Sequence, residues 1–405
     1  MTDEINRKLN ALLDSIKSSL ADIKREGRKA RELKKTVKES RDIVTEVLEQ
    51  QLGGVSLEDQ INITEIPDED WIIIARHIIS LINAPFVPRN QYEIYFMQII
   101  NYLRTTYKDT LLSNLIFSLN KMMQEDPENY DVLTDQFIKF PFWDTYNQDE
   151  EDYTTFELRL SVLKHHSYDL LWLYKHTEDF LSKRTLAAVI MNWVDLQISG
   201  LASVKSTFKN YCEPDIFADN KNGVFVDVGA FTGDTLSDYS QVYGKGYKKI
   251  YAYEPSPVVF NDLRDNVEKL GLHDVEIRRK GVGSRKGKMF YQENFYETSA
   301  SIIAEKGDES DQVDIVRLDD DLDDIPTLIK INVNGYEKEA LEGCRKTITK
   351  HSPGLAVCMC YDYDDIWKVP SMIEEMVPEY KFYIRHYGNC VVPTDFVLFS
   401  KASRN

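Results

Sequence analysis

The chain has 405 residues, enough for two to three domains that each bury an adequate core. A formal net charge of −18 excludes general nucleic-acid binding, which needs a basic footprint. Five cysteines without metal-ligand spacing read as reduced thiols of a cytoplasmic protein, and no segment approaches the length of a membrane span.

Residues 1–54 read as one amphipathic helix. Apolar residues recur at steps of four and three: Ile5, Leu9, Leu12, Ile16, Ile23, Ala30, Leu33, Val37, Val44 and Val47. Ser19, Glu26 and Ser40 interrupt the seam, and Gly53-Gly54 ends it. A narrow seam on a charged helix predicts a coiled coil that self-associates through residues 5–47; a helix folded back on its own domain is the alternative. The basic run from Lys24 to Arg41 reads as a solvated helix face, with peripheral contact to an anionic membrane or a polyanionic glycan as the alternative.

Residues 55–219 remain helical in pattern. Trp71-Ile72-Ile73-Ile74-Ala75 and Tyr95-Phe96-Met97-Gln98-Ile99-Ile100 are buried-helix candidates, punctuated by Pro85, Pro88 and the polar 147–152 segment. His165, His166 and His176 show no acidic or cysteine partner pattern and read as structural or surface residues.

From residue 220 to 405 the period changes. Strands are expected at 224–228, 250–253, 275–279, 328–333 and 355–361. Helices are expected from about 257, over 336–349 and near 370–377, with two antiparallel strands around 381–386 and 395–400 at the end. This alternation predicts a doubly wound α/β fold with an antiparallel C-terminal edge hairpin. After the first strand comes the turn Asp227-x-Gly229-x-x-x-Gly233, and Glu254 stands at the tip of the second strand, where an acid can grip ribose hydroxyls. Phe231 fills the place of a dinucleotide fingerprint's middle glycine and leaves little room for a pyrophosphate. Asp227 would repel phosphate but accept a hydrogen bond from an ammonium. These residues favour a zwitterionic nucleoside such as S-adenosyl-L-methionine (SAM) over NAD.

Over roughly residues 155–405 the chain resembles the FkbM family of SAM-dependent methyltransferases. The stretch from Val226 to Thr235 is similar to that family's first motif, and Tyr253-Glu254-Pro255-Ser256-Pro257 to its second. Lys330-Ile331-Asn332-Val333-Asn334-Gly335-Tyr336-Glu337 lies where the family has Lys-Ile-Asp-Val-Glu-Gly-x-Glu. Arg385-His386-Tyr387 with Phe396-Val397-Leu398-Phe399 resembles its last hairpin, and the lead-in with Leu181 to Leu186 and Asn210-Tyr211 resembles one branch.

The resemblance implies a class I methyltransferase (Rossmann-like) fold. It places Asp227, Gly229 and Gly233 around the methionine part of SAM, Glu254 on the ribose, and Gly281 and Val282 near the adenine, with Phe231 among the cofactor-binding residues of the turn. It also implies O-methylation of a sugar or surface-glycan hydroxyl. Asn332, Asn334 and Cys360-Tyr361 replace the family's acids and Tyr-His, and an asparagine cannot act as a base. His386 then becomes the candidate base, opposed by a histidine bonded to the hairpin backbone. Glu337 is a candidate for a substrate role or a helix-opening residue, and Asn332 completes the candidate catalytic set. The acidic run Asp319, Asp320, Asp321, Asp323 and Asp324 reads as a solvated turn with an N-cap rather than a metal site. The competing expectation is a catalytically degenerate scaffold or regulatory protein that oligomerises through its N-terminal helix.

Overall fold

A computed structural model of the chain describes Lys38 and residues 67–84, 86–139, 143, 146, 152–217, 221–293, 301–304 and 312–402. The expected coiled coil and its basic run lie outside the described residues, Lys38 excepted. The chain divides into two compact units, one of residues 1–114 and 157–175, the other of residues 115–156 and 176–405. Among the described residues no helix is long and apolar enough to cross a membrane.

The first unit is helical: α1 (Asp68–Asn83), α2 (Gln91–Thr105), the start of α3 (Lys108–Glu125), most of α5 (Thr154–His165) and nearly all of α6 (Ser167–His176). α4 (Pro127–Lys139) belongs to the second unit. Trp71, Ile74, Ala75 and Ile78 bury one stripe of α1, and Phe96, Ile99, Ile100 and Leu103 one stripe of α2, the i, i+3, i+4, i+7 spacing of an amphipathic helix. Asn90 caps α2 by accepting from Glu93 N (2.9 Å), and the Glu93 carboxylate reaches back to Arg89 N (2.6 Å). At the other end of α2 the Lys164 ammonium donates to the carbonyls of Leu103, Arg104 and Thr106. Burial pushes that ammonium down to about 8, with Arg104 adding to the shift. His166 does have an acidic partner: its Nδ1 lies 2.9 Å from Asp169 Oδ2, and His77 Nδ1 lies 2.5 Å from Asp169 Oδ1, all three buried. Burial alone would raise the Asp169 pKa, but the two imidazoles outweigh it and the net shift is downward.

The second unit contains, after α7 (Phe180–Asp195) and α8 (Ile198–Ala202), the strands β1 (Val224–Val228), β2 (Lys249–Tyr253) and β3 (Val275–Arg278). Then follow β4 (Gly281–Val282), β5 (Gly287–Glu293), β6 (Ser301–Ala304), β7 (Gln312–Val316), β8 (Leu328–Ile331), β9 (Gly354–Cys358), β10 (Tyr380–His386) and β11 (Phe396–Ala402). Its later helices are α9 (Asp234–Tyr243), α10 (Pro257–Lys269), α11 (Leu318–Asp321), α12 (Glu337–Gly343), α13 (Arg345–His351) and α14 (Asp365–Met376). The main sheet has the order β3-β2-β1-β8-β9-β11-β10, parallel except for β11, which runs antiparallel to both neighbours. On one face Phe225, Ile250 and Ala252 pack against Leu236 and Tyr239 of α9 and Leu263 of α10, with the Phe225 and Tyr239 rings stacked at 4.4 Å. The chain leaves β1 toward β2 and β3, then returns to β8 on the other side, so the strand order reverses between β1 and β8. An open α/β sheet binds its ligand at the carboxyl ends of the strands beside such a switch point.

The C-terminal antiparallel hairpin lies at the edge of the sheet as expected, with β10 outermost and β11 between it and β9. Two local expectations change. A second sheet, ordered β4-β7-β5-β6, occupies the stretch between β3 and β8 that carried no expectation of strands. The helix expected over 336–349 is two helices broken at Cys344. Gly343 packs so closely on the Gly283 carbonyl that a Cβ would lie 2.2 Å from its oxygen. Asp319 of the acidic run caps α13 through Lys346 N and Thr347 N and pairs with Arg317, while Asp321 pairs with Arg278 and Lys280. These two carboxylates hold the fold together, and the Asp319 side chain is sealed from solvent rather than solvated.

Candidate functional site

A cavity of about 440 Å³ opens at the carboxyl edge of the main sheet. Val228 and Gly229 reach it from β1, Tyr253 and Glu254 from β2, Lys280 from the turn after β3, Gly281 and Val282 from β4, Asn332 to Asn334 from the end of β8, and Tyr361 from the end of β9. Thr394 and Asp395 reach it from the start of the reversed β11. Asn210, Tyr211 and, from α4, Gln136 close it from the helical part of this unit.

The turn after β1 is built on glycine. Gly229 has φ +80°, and a Cβ there would lie 1.8 Å from the Asn332 carbonyl oxygen. Gly229 N and Ala230 N both donate to the Tyr253 carbonyl, which binds the turn to the tip of β2. Phe231 is held in the left-handed region at φ +45°, where a non-glycine residue is uncommon. Its N–H donates to Glu254 Oε2 (3.0 Å), and Ser256 N donates to Glu254 Oε1 (2.8 Å). Two amides therefore fix the Glu254 carboxylate, and each oxygen keeps a lone pair for a further donor. Burial pushes Glu254 up to about 7 against those two bonds and the Lys330 charge.

Beneath the turn lies a buried ion pair. Lys330 Nζ is 2.8 Å from Asp227 Oδ1, and its aligned hydrogen bond goes to the Gly229 carbonyl (2.6 Å). Neither Asp227 oxygen has an aligned hydrogen-bond donor, and the buried Asn332 Oδ1 has none. Burial raises Asp227 to about 6, with Lys330 opposing and Asp234 adding to the shift. Lys330 also stands 5.2 Å above the Tyr211 ring.

Of the residues singled out from sequence, Gly229, Phe231, Glu254, Gly281, Val282 and Asn332 meet around this cavity. Asp227 lies just behind it, and Gly233 caps α9 at φ +86° without lining the wall. Glu337 also stands outside the lining. Its carboxylate accepts from Val333 N (2.8 Å) and Gly335 N (2.9 Å), and burial with the neighbouring Asp365 pushes it up to about 8. It braces the loop after β8, in which Asn334 at φ +54° takes the left-handed conformation that asparagine tolerates.

His386 does not line the cavity. Side chains alternate along a strand, and across the registers β10–β11–β9–β8–β1 its neighbour Arg385 shares the face of Lys330 and Asp227. His386 therefore points to the opposite face, fully buried, with neither ring nitrogen hydrogen-bonded. Burial, with a smaller push from Lys205, lowers it to about 4. Arg385 instead pairs with Asp179 (2.7 Å) and Asp215 (2.8 Å), fastening β10 to the helical lead-in.

Lys330 and Tyr211 stood in the quoted motifs without a site role, and Gln136 and Asp395 were not singled out from sequence at all. A signal for Lys330 was present: a lysine inside the four-residue strand Leu-Ile-Lys-Ile must find a buried counter-charge. Gln136 and Asp395 carried none, because only the tertiary fold brings α4 and the start of β11 to the cleft.

The strand order, the switch-point cleft and the glycine turn define a class I methyltransferase fold. Residues 227–389 match the family model of the methyltransferase FkbM domain. The chain carries that domain. It is similar in structure to a methyltransferase FkbM from Methylobacillus flagellatus KT, with 20% identity and a TM-score of 0.51, over 60% of this chain and 61% of that one. It thus spans less than two thirds of that relative. A precorrin-6y C5,15-methyltransferase from Geobacter metallireducens GS-15 shares 15% identity at a TM-score of 0.31, over 45% of this chain and 82% of its own. No curated protein sequence matches the chain.

Proposed function

We propose that this protein is a SAM-dependent O-methyltransferase acting on a hydroxyl of a sugar or surface glycan. The observation that carries the reading is the set of acceptors at the strand tips: Asn332 Oδ1, which has no hydrogen-bond donor, beside a Glu254 fixed by two amides, with Asp227 held by Lys330 just behind them. They fit the ammonium and the ribose hydroxyls of SAM, and a cavity of about 440 Å³ falls in the range of small-molecule sites. Bound there, SAM supplies a methyl group on a sulfonium, already a good leaving group. The chain supplies alignment: Gly229 lets the turn approach closely, Glu254 holds the sugar end, and Gly281 and Val282 offer backbone groups to the base. The sugar acceptor rests on family likeness.

A second reading is favoured by Asn332, Asn334 and Tyr361, all in the cavity wall. It is a scaffold or regulatory protein that keeps the pocket without methyl transfer and associates through residues 5–47. Calorimetric titration of SAM and S-adenosylhomocysteine, with Asp227→Asn as control, tests the first reading. Micromolar binding lost in the variant supports it, and no binding by folded protein sinks it. If SAM binds without turnover, Asn332→Asp with Asn334→Glu and Tyr361→His decides, since methylation gained by that triple variant marks a decayed site.

A further inference from the structure

Among the described residues, two side chains of the cavity wall carry a buried polar atom without a hydrogen-bond partner: the Tyr211 hydroxyl and Asn332 Oδ1. The first can donate, and the second only accepts. A buried hydroxyl left unsatisfied destabilises the empty protein, and a ligand oxygen that takes its hydrogen recovers the loss.

Both atoms belong to the same end of the cleft. Asn332 N continues the β8 ladder by donating to the Val228 carbonyl (3.0 Å), so Asn332 and Lys330, two residues apart, share a face. Lys330 Nζ in turn stands 5.2 Å from the centre of the Tyr211 ring. The same ammonium bonds the Gly229 carbonyl (2.6 Å), which joins the phenol through Lys330 to the glycine turn.

Tyr211 comes from the helical lead-in, and that segment is fastened to the C-terminal hairpin. Ser206 N donates to the His386 carbonyl (2.7 Å), Tyr387 Oη to Glu213 Oε1 (2.7 Å), and Lys401 Nζ to the Ile216 carbonyl (2.7 Å). Between these ties Tyr211 takes φ +64°, a strained conformation for a tyrosine that persists only where its surroundings hold it. Its side chain belongs to the buried cluster of Ile216, Ala356, Tyr387, Val397 and Phe399. Burial, with Cys358 and Asp395 adding to the shift, pushes the phenol well above its ordinary range, so it keeps its proton and meets a ligand as a donor.

We infer that the Tyr211 hydroxyl donates to the carboxylate of the methionine part of SAM. This rests on the methyltransferase reading above and deepens it, naming the residue by which the pocket recognises an amino acid rather than a plain alkyl tail. The amino-acid end of SAM presents an anionic acceptor and a cationic donor together. An unmatched donor and an unmatched acceptor joined through Lys330 are its complement, with Asn332 Oδ1 on the ammonium as that reading has it. A hydrogen bond to a carboxylate is charge-assisted, so its loss is measurable in affinity.

Calorimetric titration of the full chain tests this with SAM, S-adenosylhomocysteine and decarboxylated SAM, which lacks only the carboxylate. Tyr211→Phe is expected to lose about 10-fold or more in affinity for the first two and to bind the third as wild type does. Without ligand, the urea midpoint of the variant should equal or exceed that of wild type, because the hydroxyl removed had no partner. Equal losses for carboxylated and decarboxylated ligands overturn the contact, as does an unchanged affinity for SAM. A variant that fails to fold, or unfolds at lower urea than wild type, overturns it as well, since the hydroxyl would then serve the fold. Wild-type protein that binds neither SAM nor S-adenosylhomocysteine strikes the underlying methyltransferase reading instead.

Discussion

Lys330 Nζ lies 2.8 Å from Asp227 Oδ1 with the two side chains 2% and 0% exposed, yet it hydrogen-bonds the Gly229 carbonyl instead. The lysine thus neutralises the acid while tying the glycine turn to β8. Each partner's desolvation is offset by the other, and removing one strands a charge.

Lys330→Met should therefore cost about 3–5 kcal/mol, because Asp227 is left buried without a counter-charge. Adding Asp227→Leu should recover part of that loss. A double-mutant cycle from urea unfolding measures it, and a coupling energy near zero would mean that the two residues are independent.

Gly229→Ala tests the turn from the backbone side. At φ +80°, with the Asn332 carbonyl 1.8 Å from the new Cβ, alanine must displace the exit of β8. A loss of about 2 kcal/mol or more in stability is expected from strain at such a position. SAM affinity should fall more than stability does, because the displaced atoms line the cavity. Unfolding midpoints and calorimetry on the same preparation separate the two, and retained affinity would place the methionine end of the ligand elsewhere.

Much of this site was legible because its residues break local rules. Gly229 and Gly233 punctuate a strand-to-helix junction, Glu254 ends a buried strand, and the apolar runs of β1, β2, β8 and β9 are the mark of a parallel sheet covered on both faces. The β4-β7-β5-β6 sheet was not legible: β4 and β6 are short, and Lys288, Gln312 and Asp314 put polar residues into β5 and β7. Which face His386 takes depends on the β10–β11 register, and register follows from partner strands rather than from the strand's own sequence. Asp395 enters the cavity for the same reason, since the reversal of β11 brings it there.

His386→Leu turns that register into a measurement. Outside the cavity, the side chain should be replaceable with SAM affinity unchanged. Its folded pKa of about 4 lies below the ordinary 6.5, so protons bind the unfolded chain more tightly. Stability is then present above about pH 6.5 and lost as pH falls toward 4. At about pH 5 the buried neutral ring costs the wild type about 2 kcal/mol, which leucine removes. The variant should be more stable than wild type at pH 5 by more than at pH 7. Equal differences at both would show that the imidazole is protonated in place.

From about pH 6.5 to about pH 8, His386 becomes neutral in both states. Asp227 at about 6 finishes losing its proton at the lower end, and Lys164 at about 8 begins to lose its own at the upper end. The buried carboxylates Glu254 and Glu337 titrate across the range. Burial raises their folded pKa values from 4.5 to about 7 and about 8, against the backbone amides that hold each of them. The unfolded chain has already released these protons, so the folded state alone still binds them. Their contribution is fully present below about 4.5 and disappears as pH rises through the folded values. Each group adds a decline of up to about 1.4 kcal/mol per pH unit while it titrates. Urea midpoints across this range should fall steadily, and Glu337→Gln should flatten the upper part. That variant is expected to lose stability overall, because its single amide oxygen cannot accept from both Val333 N and Gly335 N as the carboxylate does. A wild-type profile already flat above pH 6.5 would mean that both carboxylates are ionised in the folded protein, and that the amides around them outweigh burial.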